Sequence, residues 1–201
     1  MQSEASVTGD PRLRVADLMV GPEYEEARPG TRAEAIDLRR RRRVHLGELL
    51  SLVFENRETL RAAAAEAVRA DRVVDPVEVA AEVARFGALL PVPGGLAASL
   101  YPEIADPAEL AGIAADLAGM AAAVRLEVGG EAALTEVLPQ EVPTPAAYVR
   151  FALTAAQIEA WLEGAPVRLS ISHPRCTAAA MLSDEQRAAV AADLRTEAGT
   201  A

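Results

Sequence analysis

Residues 39–59, RRRRRVHLGELLSLVFENRET, join five consecutive arginines to an apolar stretch and then to a polar turn. Leu49–Phe54 is continuously apolar except for one serine, the pattern of a buried strand. Asn56 stands where a helix N-cap belongs, ahead of TLRAAAAEAVRA with its high alanine helix propensity. Upstream, Thr31–Arg43 reads as helical. A helix, a buried strand and a second helix in close succession make this a mixed α and β chain.

The same reasoning extends in both directions. Asp75-Pro76-Val77-Glu78 combines cap, N1 proline and N3 glutamate, opening a third helix. Asp106-Pro107 opens a fourth, expected to stop near Leu117 ahead of Gly119. Thr154 with Gln157, and Ser183 with Gln186, start two more, the former ending at Gly164. Val124–Val128 alternates apolar and polar residues and turns at Gly129-Gly130 into Ala132–Val137. Tyr148–Leu153 and Val167–Ile171 alternate likewise, with Arg150, Arg168 and Ser170 expected to face out, and Leu96–Ile104 is a weaker strand. Alternation implies one wet face. The expected fold class is α+β, a mostly antiparallel sheet with about six helices packed on it. One domain is expected over residues 13–195, between disordered tails at 1–12 and 196–201.

Composition narrows the function classes. Net charge is −10, and all 20 basic residues are arginine. Residues 1–38 contribute −4, the arginine run +5 and residues 44–201 −11. An acidic surface repels phosphate backbones and anionic lipids, which argues against nucleic-acid and membrane partners. No apolar run is long enough to span a bilayer, and MQSEASVTGDPRLR lacks a signal core. A single cysteine, Cys176, excludes an intrachain disulfide and any multi-cysteine cluster. The reducing cytoplasm is the expected compartment.

Five successive helical residues sweep more than a full turn, about 400–500°, so the arginines cannot form a one-sided stripe. They can make a solvated helix end, an ion-pair network with Glu48, Glu55 and Glu58, or an anion contact; internal pairing outranks anion capture. Phe54-Glu55-Asn56-Arg57-Glu58 brings polar side chains to a sheet edge, where Glu55 and Glu58 are expected to serve the helix N-terminus. His45, His173 and Cys176 supply too few ligands for a zinc site without further help. No phosphate loop, nucleophile elbow or dinucleotide fingerprint is present, so no metal, cofactor or catalytic residue is assigned.

Arg41-Arg42-Arg43-Val44, Leu46-Gly47 and the block Leu52–Thr59 resemble the bacterial family called domain of unknown function 3501. Tyr24, Arg28-Pro29, Val149-Arg150-Phe151 and His173-Pro174 extend the likeness over about residues 13–195. The chain departs from it at the alanine-rich second helix and at Cys176, where relatives often carry an aromatic. Genes of that family often neighbour those of rubrerythrin-like di-iron proteins and iron–sulfur oxidoreductases. The resemblance therefore implies an accessory, non-enzymatic protein in a cytoplasmic redox or peroxide-defence system. Its expected contact region is the Arg39–Arg43 segment, Arg41, Arg42 and Arg43 foremost, with Glu55, Asn56, Arg57 and Glu58. The alternative is an enzyme or sensor holding a small anion between Arg43, Arg57 and His173.

Overall fold

The computed structural model describes residues 12–139 and 146–198. A 3-10 turn at Val15–Asp17 precedes α1 (Gly21–Arg42), β1 (Arg43–Leu46), β2 (Leu50–Glu55), α2 (Arg57–Ala70) and α3 (Pro76–Gly87). Then come β3 (Gly95–Pro102), α4 (Pro107–Ala122), β4 (Val124–Val128), β5 (Glu131–Ala132), β6 (Leu134–Leu138) and β7 (Ala147–Ala152). The described chain ends with α5 (Ala155–Leu162), β8 (Val167–His173), β9 (Cys176–Met181) and α6 (Asp184–Ala198). The expected tail at 1–12 lies outside the described residues apart from Arg12. Of the tail expected from 196 onward, the part to Ala198 is helical, and the rest lies outside them.

The α+β class holds, and every described strand pair is antiparallel. The strands divide, however, into two sheets, ordered β1-β2-β3-β7-β6 and β5-β4-β8-β9. The division falls at Ala133. Gly129 and Gly130 both take positive φ, as a two-residue hairpin turn requires, and β5 returns along β4. Two residues later the chain turns a buried corner at Ala133 and pairs with β7 instead. On the opposite side β9 lies against β1. The two sheets thus face each other around the main core, which α4, α5 and α6 complete. Phe54 sits at its centre, 6.3 Å from the Phe151 ring and 6.4 Å from that of Trp161, the latter edge-on. A smaller apolar cluster packs α2 against α3 and Leu13.

Local chemistry sets most helix starts where expected. Asn56 Oδ1 accepts from the Thr59 amide at 3.0 Å while Thr59 Oγ1 accepts from the Asn56 amide at 2.8 Å. Asp75, Asp106 and Thr154 cap α3, α4 and α5, and Ser183 and Gln186 bond reciprocally ahead of α6. Tertiary contacts override local signals at two places. Pro29 stands inside α1, which begins ten residues before the expected Thr31, because its first turns are clamped onto α2. Glu66 accepts from Tyr24 and from two Arg28 nitrogens, and Arg69 pairs with Glu25 at 2.9 Å. α4 likewise runs on through Gly119 to Ala122, with the His173 ring packed beside that glycine. β1 and β9, unassigned from the sequence, are short or alanine-rich strands held by their neighbours.

Arg42 is the pivot of this assembly. It is 1% exposed, and its Nε donates to the Phe54 carbonyl at 2.7 Å and its Nη1 to the Ala189 carbonyl at 2.8 Å. Its Nη2 pairs with Asp193, whose other oxygen accepts from Asn56 Nδ2 at 3.2 Å. Removing one partner of such a buried pair strands the other. Arg42→Met is expected to lower stability by about 3–5 kcal/mol in urea unfolding. Arg40→Met, whose guanidinium is exposed, should leave the urea midpoint nearly unchanged. Equal losses would show that burial of the pair is not what matters.

Candidate functional site

The five arginines do not form a surface patch. Arg40 and Arg41 share Asp37 at 2.6 and 2.7 Å at a solvated helix end. Arg42 is buried as described, Arg39 pairs with Glu55 at 3.5 Å, and Arg43 pairs with Glu103. Of the expected acidic partners only Glu55 takes part, since Glu58 bonds Arg57 and Arg61 and Glu48 is exposed beside Gly47. Asp193 and Glu103, far away in sequence, partner Arg42 and Arg43. Asp37, hydrogen-bonded by Arg40 and attracted by Arg41, holds its carboxyl below the ordinary range.

The anion pocket expected from Arg43, Arg57 and His173 is not assembled. Arg57 lies beyond the Glu55 end of β2, paired with Asp17 at 2.7 Å. His173 lies at the other end, because it pairs in register with Cys176, whose sulfur rests 4.0 Å from the Leu46 carbonyl. A six-residue strand separates those ends by about 17 Å. The His173 ring is occupied over Gly119, its Nδ1 accepting from the Arg175 amide at 3.3 Å. His45 is exposed on β1, and burial pushes the Cys176 thiol up, which makes it a poor nucleophile. Among the described residues no three His, Cys, Asp or Glu side chains converge on a metal site, and no helix is long and apolar enough to cross a membrane.

What the structure does bring together lies on the five-stranded sheet, on the face turned away from the main core. Alternation places Ser51, Val53 and Glu55 of β2 on that face, beside Ala97, Ser99 and Tyr101 of β3 and Tyr148 and Arg150 of β7. Ser51, Glu55 and Ser99 are buried there, and α1 packs on β2. Glu55 does not serve the helix N-terminus, a role Asn56 fills. Its Oε1 accepts from Ser99 Oγ at 2.6 Å and from Arg39, and its Oε2 has no hydrogen-bond partner. Burial opposes the Arg39 charge, but Glu55 and Tyr101 outweigh it and hold the guanidinium above its ordinary value. Alongside, Ser51 Oγ accepts from Arg43 at 3.0 Å and donates to Glu103, and Arg43 lies 6.0 Å from the Tyr101 ring centre. Arg150, expected to face solvent, instead bonds the Ala88 and Leu90 carbonyls after α3, at 2.5 and 3.1 Å.

The family model whose description is protein of unknown function (DUF3501) matches residues 12–194. The chain belongs to that family. A solved structure from Burkholderia pseudomallei K96243, a novel protein of unknown function, resembles this DUF3501 chain with a TM-score of 0.75 and 26% identity. The match covers 94% of this chain and 100% of the other. No curated protein matches the chain.

Sequence reasoning named Glu55, Arg43 and the arginine run but missed Ser51, Ser99, Tyr101, Glu103 and Arg150 as one group. The available signal was the odd-numbered alternation of Ser51, Val53, Glu55 and of Ala97, Ser99, Tyr101. The Ser51 hydroxyl and then Arg43 hold the Glu103 carboxyl below its ordinary value of 4.5. A depressed acid stabilises the fold above its unfolded pKa and loses that contribution as pH falls through the folded one. Stability is therefore expected to drop on acidification below 4.5, and Glu103→Gln should flatten part of that limb. Urea midpoints across that range measure it, and parallel curves for the two proteins would refute the assignment.

Proposed function

We propose that this protein binds a small polar molecule over the outer face of its five-stranded sheet, between Arg39, Glu55, Ser99, Tyr101 and Arg150. One observation carries the reading: the Glu55 carboxylate is 98–99% buried and one of its oxygens is unpartnered. An unsatisfied buried charge is costly, and such costs are retained where a ligand or solvent completes the hydrogen bond. The hydroxyls, guanidiniums and phenols around it are recognition groups, while the absence of an assigned nucleophile or base keeps the reading at binding. Native mass spectrometry of protein purified from its own host is expected to show a retained small molecule. A thermal-shift screen should find a compound whose stabilisation, about 2.7 kcal/mol at a hundredfold excess over Kd, is lost in Glu55→Gln. An equal shift in the variant would sink the site.

A second reading, an accessory protein docking a rubrerythrin-like or iron–sulfur redox partner through the arginine block, rests on the exposed Arg40 and Arg41 alone. Arg42 contributes nothing to a surface, so reversing its charge would test folding instead. Arg40→Glu with Arg41→Glu is the informative pair; undiminished co-purification with the redox partner would dispose of this reading.

A further inference from the structure

We propose that the cleft between α1 and α2 binds an uncharged apolar molecule whose head, a carbonyl oxygen, accepts hydrogen bonds from Arg39 and Arg61. The two helices are fastened at two levels. Near the start of α1, Tyr24 and Arg28 hold Glu66 of α2, and Glu25 holds Arg69. Near its end, Arg39 and Arg42 are tied to Glu55 and Phe54 of β2, just before α2 begins. Arg28 and Arg39 are eleven residues apart, about 16 Å along a helix. Over that span the side chains lining the gap are short: Thr31 and Ala35 on α1, Ala62 and Ala65 on α2. They do not fill the space that the fasteners set, and a cleft of about 410 Å³ remains.

The lining fixes the chemistry of an occupant. Leu38 and Ile36 lie along the cleft but belong to neither apolar cluster of the fold, and Ile36 is 58% exposed. Folding leaves that apolar surface unspent. A volume of this size suits a small molecule, whereas a helix lying along the cleft would need roughly three times as much. Three arginines, Arg32, Arg39 and Arg61, and three glutamates, Glu34, Glu58 and Glu66, line it, so it carries no net charge. Glu66 already accepts three hydrogen bonds and Glu58 two, while Arg39 and Arg61 each reach a carboxylate through one nitrogen. Glu34 and Arg32 are exposed at the rim, where water satisfies them. Inside, spare donors outnumber spare acceptors, and a guanidinium donates only. The head must therefore accept, and a charge on it would lose its hydration against a neutral wall. Arg39 is the one residue shared with the sheet-face site; the apolar walls belong to the cleft alone.

The test titrates the full chain with 2-octanone by calorimetry and thermal shift, beside octanoate, octylamine and 2-butanone. The long ketone is expected to bind at least about tenfold more tightly than either charged compound, and than 2-butanone, which keeps the head and loses most of the tail. Ala35→Leu and Ala62→Leu each put a side chain into the cleft, from opposite walls, and leucine suits a helix. Each should weaken binding about tenfold or more with unchanged circular dichroism, and either serves where the other fails to fold. Octanoate or octylamine binding as tightly as 2-octanone overturns the choice of an uncharged ligand. Binding that survives both substitutions puts the ligand elsewhere and overturns the cleft. No binding of 2-octanone overturns the proposal as well, and a dimer in sedimentation that Ala62→Leu splits would then give the cleft to a second copy of this chain.

Discussion

The buried Arg42 guanidinium holds the elements of this fold in relation to one another. It sits at the last residue of α1, grips the carbonyl that ends the apolar part of β2, and reaches across to Asp193 and Ala189 on α6. Asp193 in turn holds Asn56, which caps α2. Four elements are thus registered by one side chain and its counter-ion. Apolar packing alone would let a helix slide over a sheet at small cost, whereas a bidentate or three-way polar contact fixes a position. The desolvation penalty of the pair is offset by hydrogen bonds from all three guanidinium nitrogens, the condition under which buried ion pairs persist.

That registration has a consequence for the outer sheet face. With Arg42 turned into the protein at the end of α1, Arg39 lies about one helical turn earlier, on the same side, and comes down over Glu55. Arg43, one residue later in the extended β1, points across the sheet to Ser51 and Glu103. Arg40 and Arg41 take the remaining directions and meet solvent. The change from helix to strand inside the run is what divides five identical side chains into three roles.

Legibility from the sequence followed the range of the interactions. The caps at Asn56, Asp75, Asp106, Thr154 and Ser183 were readable because donor and acceptor lie within three residues. The mutual exclusion of the arginines from one stripe was readable too, since helix geometry alone dictates it. Their partners were not, for Asp193 stands 151 residues from Arg42 and Glu103 stands 60 from Arg43. The ten early residues of α1 were hidden by Pro29, whose local cost is overcome by the Glu66 and Glu25 clamps. The second sheet was hidden because an apparently single strand, Ala132–Val137, changes partners at a small buried residue. Glu55 was singled out for its position before a helix, yet its pleat direction decides its role, and that depends on β2 having buried neighbours on both faces.

The contrast between Arg42 and Glu55 separates structure from candidate function. Both are charged, buried and within the same short block, and both are costly to desolvate. Every bond direction of Arg42 that the structure reveals ends on a protein acceptor, so its cost is explained by the fold. Glu55 ends one oxygen on nothing, and two strands away Arg150 does the same with a nitrogen. A fold that needed only stability would replace such a pair with apolar side chains or let them close on each other. The unsatisfied Glu55 oxygen is a cost that no protein contact offsets, and it is the ground for reading this face as a binding site.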